Sequence, residues 1–184
     1  NFPVLDGLTV RTDSEKVKKH RKLVIELIMA RAPGAPQIRE MAKRLGVEDV
    51  RHRPQQDELC ILCGLCARVC DEAIGAQALT FIGRGGLKDV GTPYAEASEN
   101  CIGCGACEAV CPTGAITMTE SNGRRRIWHR DFEMVACTKC GRSYITVEQM
   151  HHLVSRTDLD ESYFELCDEC SRRAVAVKML ENVV

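Results

Sequence analysis

All twelve cysteines of this chain fall into three clusters, and the first two clusters repeat one spacing. A thiolate is a ligand for iron and zinc, so sulfurs arranged around one point favour a metal centre. The repeated spacing is C-x2-C-x2-C-x3-C, and Pro112 follows the second copy. The two copies are Cys60, Cys63, Cys66 and Cys70, then Cys101, Cys104, Cys107 and Cys111. We therefore predict two iron–sulfur centres in this region.

The spacing is the signature of bacterial ferredoxins with two [4Fe–4S] clusters, in which the fourth cysteine of each run binds the other cluster. The first set of ligands is then Cys60, Cys63, Cys66 and Cys111, and the second set is Cys70, Cys101, Cys104 and Cys107. Asp71 replaces the proline that usually follows the first run, and we expect this to relax one turn without removing a ligand. The pattern predicts a chain that moves electrons.

Two further CxxC pairs form a third group, the tail set: Cys137, Cys140, Cys167 and Cys170. Paired CxxC turns close a tetrahedral four-thiolate site, most often around zinc and sometimes around one iron. Three occupants stay open at this point, namely a structural zinc ion, a single iron ion and a third iron–sulfur cluster.

Composition limits the remaining functions. The chain has 184 residues, 45% hydrophobic and only 4% aromatic content, and a formal net charge of −1. We expect bound metal to replace part of a small core, and the near-neutral charge predicts no general attraction to nucleic acid or anionic membranes. No run approaches the roughly 20 apolar residues of a membrane span and no signal peptide opens the sequence, so we predict a cytoplasmic protein. In a reducing compartment, dense cysteines indicate metal ligation over disulfides.

No group of residues predicts bond chemistry by the chain itself. A P-loop, a Ser-His-Asp order and a carboxylate pair are all missing from the sequence. Arg124–Arg126 is interpreted as a solvated basic edge, and His151 and His152 as ordinary histidines of a helix. We therefore predict a non-catalytic chain.

Helices and strands must position these cysteines. Caps and apolar periodicity predict helices over 13–30 and 37–45, separated by Ala32–Pro36, and two more over about 147–155 and 171–181. The two ferredoxin-like halves lie 41 positions apart, and each is expected to supply a loop, a short helix and a strand, over 78–82 and 115–118. Ser121-Asn122-Gly123 predicts a hairpin between strands over 116–119 and 126–129. Only weak local structure is expected in the connection over 83–100.

These elements predict an α+β fold with three parts. Residues 1–53 form a helical hairpin, residues 54–120 form a two-[4Fe–4S] ferredoxin-like domain, and residues 121–184 form a hairpin with a small four-cysteine metal-binding lobe.

Residues 60–72, 78–86 and 101–115 resemble the double-cluster region of three groups of proteins. These are the large iron–sulfur subunit of respiratory NADH dehydrogenase, the diaphorase iron–sulfur subunit of NAD-linked hydrogenases, and the accessory domain of iron-only hydrogenases. The resemblance extends through residues 3–12 and 21–27 and covers about residues 1–118. The tail is similar to iron–sulfur subunits of formate-hydrogenlyase-type complexes.

Two departures from that family are expected to matter. Residues 31–46 contain neither cysteine nor histidine, so we predict that the family's cluster with one histidine and three cysteine ligands is missing. The opening residues resemble the segment after a plant-type [2Fe–2S] domain, so we expect that an upstream [2Fe–2S] domain is absent from this sequence.

The resemblance implies an electron-relay subunit of a multi-subunit oxidoreductase. Its expected partners are a flavin subunit that reacts with NAD(P) and a hydrogenase or formate dehydrogenase subunit. The alternative is an assembly module, in which metal sites only shape a docking surface without redox turnover.

Overall fold

The computed structural model describes residues 3–51 and 58–181, and these residues combine helices with antiparallel sheets. The predicted mixture of helix and sheet is confirmed. Contacts divide the chain into two units, Asn1–Cys63 with Pro112–Ala115, and Gly64–Cys111 with Ile116–Val184. The predicted boundary between residues 53 and 54 lies outside the described residues, and the three-part division remains a prediction. Among the described helices, none combines the length and apolar character that a bilayer span needs.

Two helices form the first unit. Helix α1 (Glu15–Arg31) begins after Ser14, whose hydroxyl accepts a hydrogen bond from the Val17 amide at 3.4 Å. Helix α2 (Pro36–Arg44) starts with proline, which needs no intrahelical donor in the first turn. The first and last residues of both helices lie within two residues of the prediction, because caps and helix breakers act locally.

Small side chains let the first unit pack closely. Its buried cluster consists of Ile25, Ala32, Ala35, Ile38 and Ala42. The carboxylate of Glu26 is also buried, and it is paired with the guanidinium of Arg51 at 2.7 Å. The ion pair and its hydrogen bonds offset the cost of burying this carboxylate.

The second unit begins with the helical parts of the ferredoxin-like repeat. Helix α3 (Leu65–Arg68) runs into a π-helical turn (Val69–Ile74), whereas helix α4 (Ala106–Ala109) ends shortly before Pro112. Asp71 has the backbone N–H that proline lacks, so the helical segment that begins with α3 continues past Cys70, whereas α4 ends before Pro112. This is the structural consequence of the missing proline.

Strand β1 (Thr80–Ile82) pairs antiparallel with β2 (Asp89–Gly91), and Phe81 lies opposite Val90. Strand β2 lies inside the connection for which only weak structure was expected. The predicted strand over 115–118 is wrong, because regular structure resumes only at Thr119. Short 3₁₀ turns occupy Gly85–Leu87, Pro93–Ala95 and Glu161–Glu165.

A four-stranded antiparallel sheet follows, in which each strand pairs with the next along the chain. Its strands are β3 (Thr119–Ser121), β4 (Arg124–Ile127), β5 (Arg130–Ala136) and β6 (Ser143–Thr146). The hairpin at Asn122–Gly123 is confirmed. Trp128 and His129, expected in a strand, instead form a second two-residue turn between β4 and β5.

Two helices complete the tail. Helix α5 (Val147–Arg156) is capped by Thr146, whose hydroxyl accepts a hydrogen bond from the Gln149 amide at 3.1 Å. Helix α6 (Asp168–Glu181) starts three residues earlier than expected, so Cys170 lies within its first turn. The second CxxC pair therefore leads directly into a helix.

Candidate metal centres

The second set of cysteines surrounds one cavity of the second unit. Cys101 and Cys107 are buried, whereas Cys70 and Cys104 are half-buried. The remaining wall is mostly apolar and includes Ala76, Ala78, Leu79, Ile102, Ile127 and Trp128. Cys70 lies in the π-helical turn, Cys101 and Cys104 lie on the loop that leads into α4, and Cys107 lies in α4 itself. The fold therefore brings together cysteines from both halves of the repeat. Ligation itself remains a prediction.

Each sulfur of the second set accepts at least one hydrogen bond from an N–H group. The donors are the amides of Ala78 for Cys70, Gly103 for Cys101 and Ala106 for Cys104, and both the Glu108 amide and the Trp128 indole for Cys107. N–H donors directed at sulfur stabilise negative charge on thiolate ligands. The cavity is therefore prepared for thiolates rather than for thiols.

Burial acts in the opposite direction. It raises the pKa of the Cys101 and Cys104 thiols, and it raises that of Cys107 to about 11. Four thiolates in this cavity thus need positive charge between them, and a group of iron ions supplies it. The donor set and the wall fit a [4Fe–4S] cluster.

Two glycines let the loop of the second set approach its neighbours closely. Gly103 and Gly105 adopt left-handed φ values of +66° and +76°. A Cβ atom at Gly103 would lie 2.7 Å from the Phe132 ring, and one at Gly105 would lie 2.9 Å from Met118 Sδ. The corresponding positions in the first half, Leu62 and Gly64, have similar φ values of +55° and +74°. The internal repeat is therefore visible in backbone conformation.

Arg125 and Arg130 hold the same loop from the sheet. Arg125 Nη1 donates to the carbonyl oxygen of Gly103 at 2.7 Å, and its Nε donates to Glu120 Oε1 at 2.8 Å. Arg130 Nη1 donates to the carbonyl of Cys101 at 2.8 Å. The interpretation of Arg124–Arg126 as a solvated edge is wrong for Arg125, which is 7% exposed.

The sequence contained a signal for this burial. Alternate residues of a strand share a face, and Arg125 lies two positions before the buried Ile127. The role of Trp128 had no such signal, because indole contacts depend on the turn that follows β4.

The first set is divided between the two units. Cys60, half-buried, and Cys63, exposed, belong to the first unit, whereas Cys66, buried, and Cys111, half-buried, belong to the second. The Leu62 amide donates to Cys60 Sγ at 3.4 Å, as expected for a cluster-binding loop. Assembly of this set remains a sequence-based prediction.

The tail set forms a much tighter group. All four sulfurs lie within 4.8 Å of one another, and Cys140 Sγ lies 3.8 Å from Cys167 Sγ. Four sulfurs bound at about 2.3 Å around one tetrahedral ion are about 3.8 Å apart. A four-iron cluster binds each sulfur to a different iron and spreads them further. This geometry can hold a metal ion.

Hydrogen bonds and charges prepare the tail set for a metal. The backbone N–H of Cys167 lowers the pKa of Cys137 to about 6, and that of Cys170 lowers the pKa of Cys167. Burial raises the pKa of Cys170 to about 12. Arg142 pairs with Asp168 at 3.0 Å next to this group.

The tail also contacts the segment that carries Cys70. His152 Nε2 lies 2.9 Å from the carbonyl oxygen of Ile74, and Arg156 Nη1 donates to the same oxygen at 3.1 Å. Ile74 ends the π-helical turn. His152 therefore supports the end of this turn.

Comparison with known protein families agrees with this geometry. A model described as a 4Fe-4S dicluster domain matches residues 54–118, and a second model with the same description matches residues 100–173. Both matches include the run Cys101–Cys111, and the second also includes the tail set.

Individual proteins show the same similarity. The NADH-ubiquinone oxidoreductase 78 kDa subunit of Candida albicans is 30% identical over 69% of this chain and 21% of its own length. The resemblance to iron–sulfur subunits is confirmed. The NADPH-Fe(3+) oxidoreductase subunit alpha of Geobacter sulfurreducens is 27% identical over 92% of the chain and 23% of its own length. The mitochondrial NADH dehydrogenase (ubiquinone) iron–sulfur protein 1 of Solanum tuberosum is 25% identical over 69% of the chain and 20% of its own length. The chain thus spans about a fifth of the length of these relatives.

Proposed function

We propose that this chain is an electron-relay subunit of a cytoplasmic, multi-subunit oxidoreductase. In this proposal the first and second sets each hold one [4Fe–4S] cluster, and the chain itself has no substrate site. The observation that carries the proposal is the cavity of the second set, where four cysteines from the two halves of the repeat meet and every sulfur accepts an N–H hydrogen bond.

The side chains around the cavity give it the properties of a relay site. When bound, a [4Fe–4S] cluster takes up and releases single electrons. The four thiolates bind the cluster, and the amides of Ala78, Gly103 and Ala106 donate to their sulfurs. Leu79 and Ile127, both buried, exclude water from the wall, and Arg125 fixes the loop so that little movement accompanies a change of charge.

The partners in the proposal come from two sources. The names of the relatives include NADH and NADPH oxidoreductases, which supports a flavin subunit reacting with NAD(P) on one side. The likeness of residues 1–118 and of the tail to hydrogenase-associated subunits supports a hydrogenase or formate dehydrogenase subunit on the other side.

The tail set completes the proposal as a structural site for a single ion, for which zinc is the first choice. The distance of 3.8 Å between two of its sulfurs matches a single tetrahedral ion better than a third cluster. We also propose the three-part division into a helical hairpin (1–53), a ferredoxin-like domain (54–120) and a four-cysteine lobe (121–184).

Anaerobic purification of the chain, followed by metal and sulfide analysis, tests the function. We expect about eight irons and about eight acid-labile sulfides per chain, with two interacting paramagnetic signals after reduction. One zinc per chain is expected in addition. A folded, colourless protein without iron contradicts the relay and favours the assembly module.

A further inference from the structure

The turn between β4 and β5 has an unusual composition. Its two residues, Trp128 and His129, both have left-handed φ values, +50° and +63°. Two-residue hairpin turns of this shape favour Asn, Asp and Gly, because other side chains are strained there. The adjacent hairpin follows that rule with Asn122 and Gly123. The second turn therefore retains a large side chain at a position where it is strained, which indicates a role outside the turn.

The indole of Trp128 contacts the second set directly. Its Nε1–H donates to Cys107 Sγ at 3.3 Å, and its ring forms part of the cavity wall. The donors identified for the other three sulfurs are backbone amides, whereas Cys107 accepts from a side chain as well. A side-chain donor can be removed by substitution while the backbone of the binding loop stays unchanged.

The turn is held in place on both sides. Arg125, on β4, donates to the Gly103 carbonyl, and Arg130, the first residue of β5, donates to the Cys101 carbonyl. Both acceptors belong to the loop that carries the second set. The distance between the indole and Cys107 is thus fixed by the same contacts that attach the sheet to this loop.

We propose that Trp128 raises the reduction potential of the cluster bound by the second set, by donating its indole N–H to Cys107. The inference rests on the proposed function. An electron that arrives from a partner subunit adds negative charge to the cluster and its sulfur ligands, so an N–H donor stabilises the reduced form more than the oxidised form. Trp128 is a positioning residue, since it acts through the ligand sulfur.

The test compares Trp128→Phe with the unmodified chain in an anaerobic redox titration followed by paramagnetic resonance. The signal of the second set is first identified as the one that Cys107→Ser changes. At a fixed ambient potential, we expect Trp128→Phe to lower the ratio of reduced to oxidised second cluster about tenfold, which corresponds to about 59 mV. The potential of the other cluster should stay unchanged.

His129→Gly is the matched control. It alters the same turn at an exposed position and leaves the indole intact, and glycine adopts the left-handed conformation of this position without strain. We expect an unchanged potential and a higher thermal midpoint. An equal potential in Trp128→Phe and the unmodified chain overturns the proposal, as does an equal shift in His129→Gly.

A second variant covers the case in which phenylalanine leaves a gap and the cluster is lost. Benzothienylalanine at position 128 keeps the shape of the indole but replaces its N–H with sulfur. The same selective decrease of the potential supports the role of the N–H group, and an unchanged potential overturns it. Absence of iron from the unmodified chain contradicts the proposed function instead, so the two failures are distinguishable.

Discussion

The second set and the tail set present the same four ligand atoms at two different spacings. The second set lines the wall of a cavity, and its cysteines come from the two halves of the repeat, with left-handed glycines that let the loop before α4 pack closely against its neighbours. The tail set brings its sulfurs within 4.8 Å of one another, because two short CxxC turns face each other directly. Ligand type alone therefore does not distinguish the two sets, whereas the spacing that the backbone gives their sulfurs does.

The two sites also differ in what holds them together. Arg125, which fixes the loop of the second set, has a side chain only 9% exposed, whereas Arg142 beside the tail set is 52% exposed. One buried cluster of the tail consists of three of its cysteines, Cys137, Cys167 and Cys170, with Tyr144 and Leu166 packed against them. We infer that the protein shapes the second site, whereas the tail depends on its metal for stability.

Among the tests of this comparison, Cys70→Ser is expected to have the largest effect. We expect loss of the second cluster, so that iron content falls by about half, because Cys70 completes the ligand set of Cys101, Cys104 and Cys107. Iron analysis and paramagnetic resonance after anaerobic purification measure the change, and the zinc content should stay constant. Damage confined to the cluster of Cys60, Cys63 and Cys66 would refute the crossed assignment.

Cys170→Ser tests the tail. We expect this variant to lose the single bound ion and also to lose amide-exchange protection over residues 137–170. The reason is that the metal-binding free energy of small zinc sites, about 10–16 kcal/mol, is also folding free energy. Metal analysis and hydrogen exchange by mass spectrometry measure both. The signal of the second cluster should persist. A tail that keeps its protection without metal contradicts the idea that the metal serves as its core.

A smaller effect is expected from alanine at two left-handed glycines. Gly103→Ala brings a Cβ atom 2.7 Å from the Phe132 ring and should destabilise the second unit by about 3 kcal/mol, from overpacking and backbone strain together. Gly141→Ala has a similar φ, +72°, but no atom within 4 Å, so it should cost only about 1 kcal/mol.

Anaerobic denaturation of the two variants, followed through the visible absorption of the cluster, compares these costs. Equal destabilisation by both substitutions would show that close contact with Phe132 does not hold the loop of the second set.

Local signals in the chain were sufficient for much of this architecture. Helices α1 and α2 were predicted within two residues, because Ser14, Pro36 and Gly46 act on their immediate neighbours. The hairpin at Asn122–Gly123 was also predictable, since its turn residues are specific. Strand β2 and the turn at Trp128–His129 were missed, because pairing partners and tertiary contacts override weak local preferences there.

The cysteine spacings indicated the electron-transfer class of the chain and predict two ligand sets, because covalent connectivity limits which sulfurs one loop can direct to a common point. The assignment of each cysteine to a cluster stays a prediction. They did not establish how far apart the tail sulfurs lie, that Arg125 is buried, or that an indole contacts Cys107. The tail spacing depends on how two distant CxxC pairs meet, and the other two features depend on the packing of the sheet against the loop of the second set. Short-range spacing predicts which cysteines act as ligands, and long-range packing decides the environment of each sulfur.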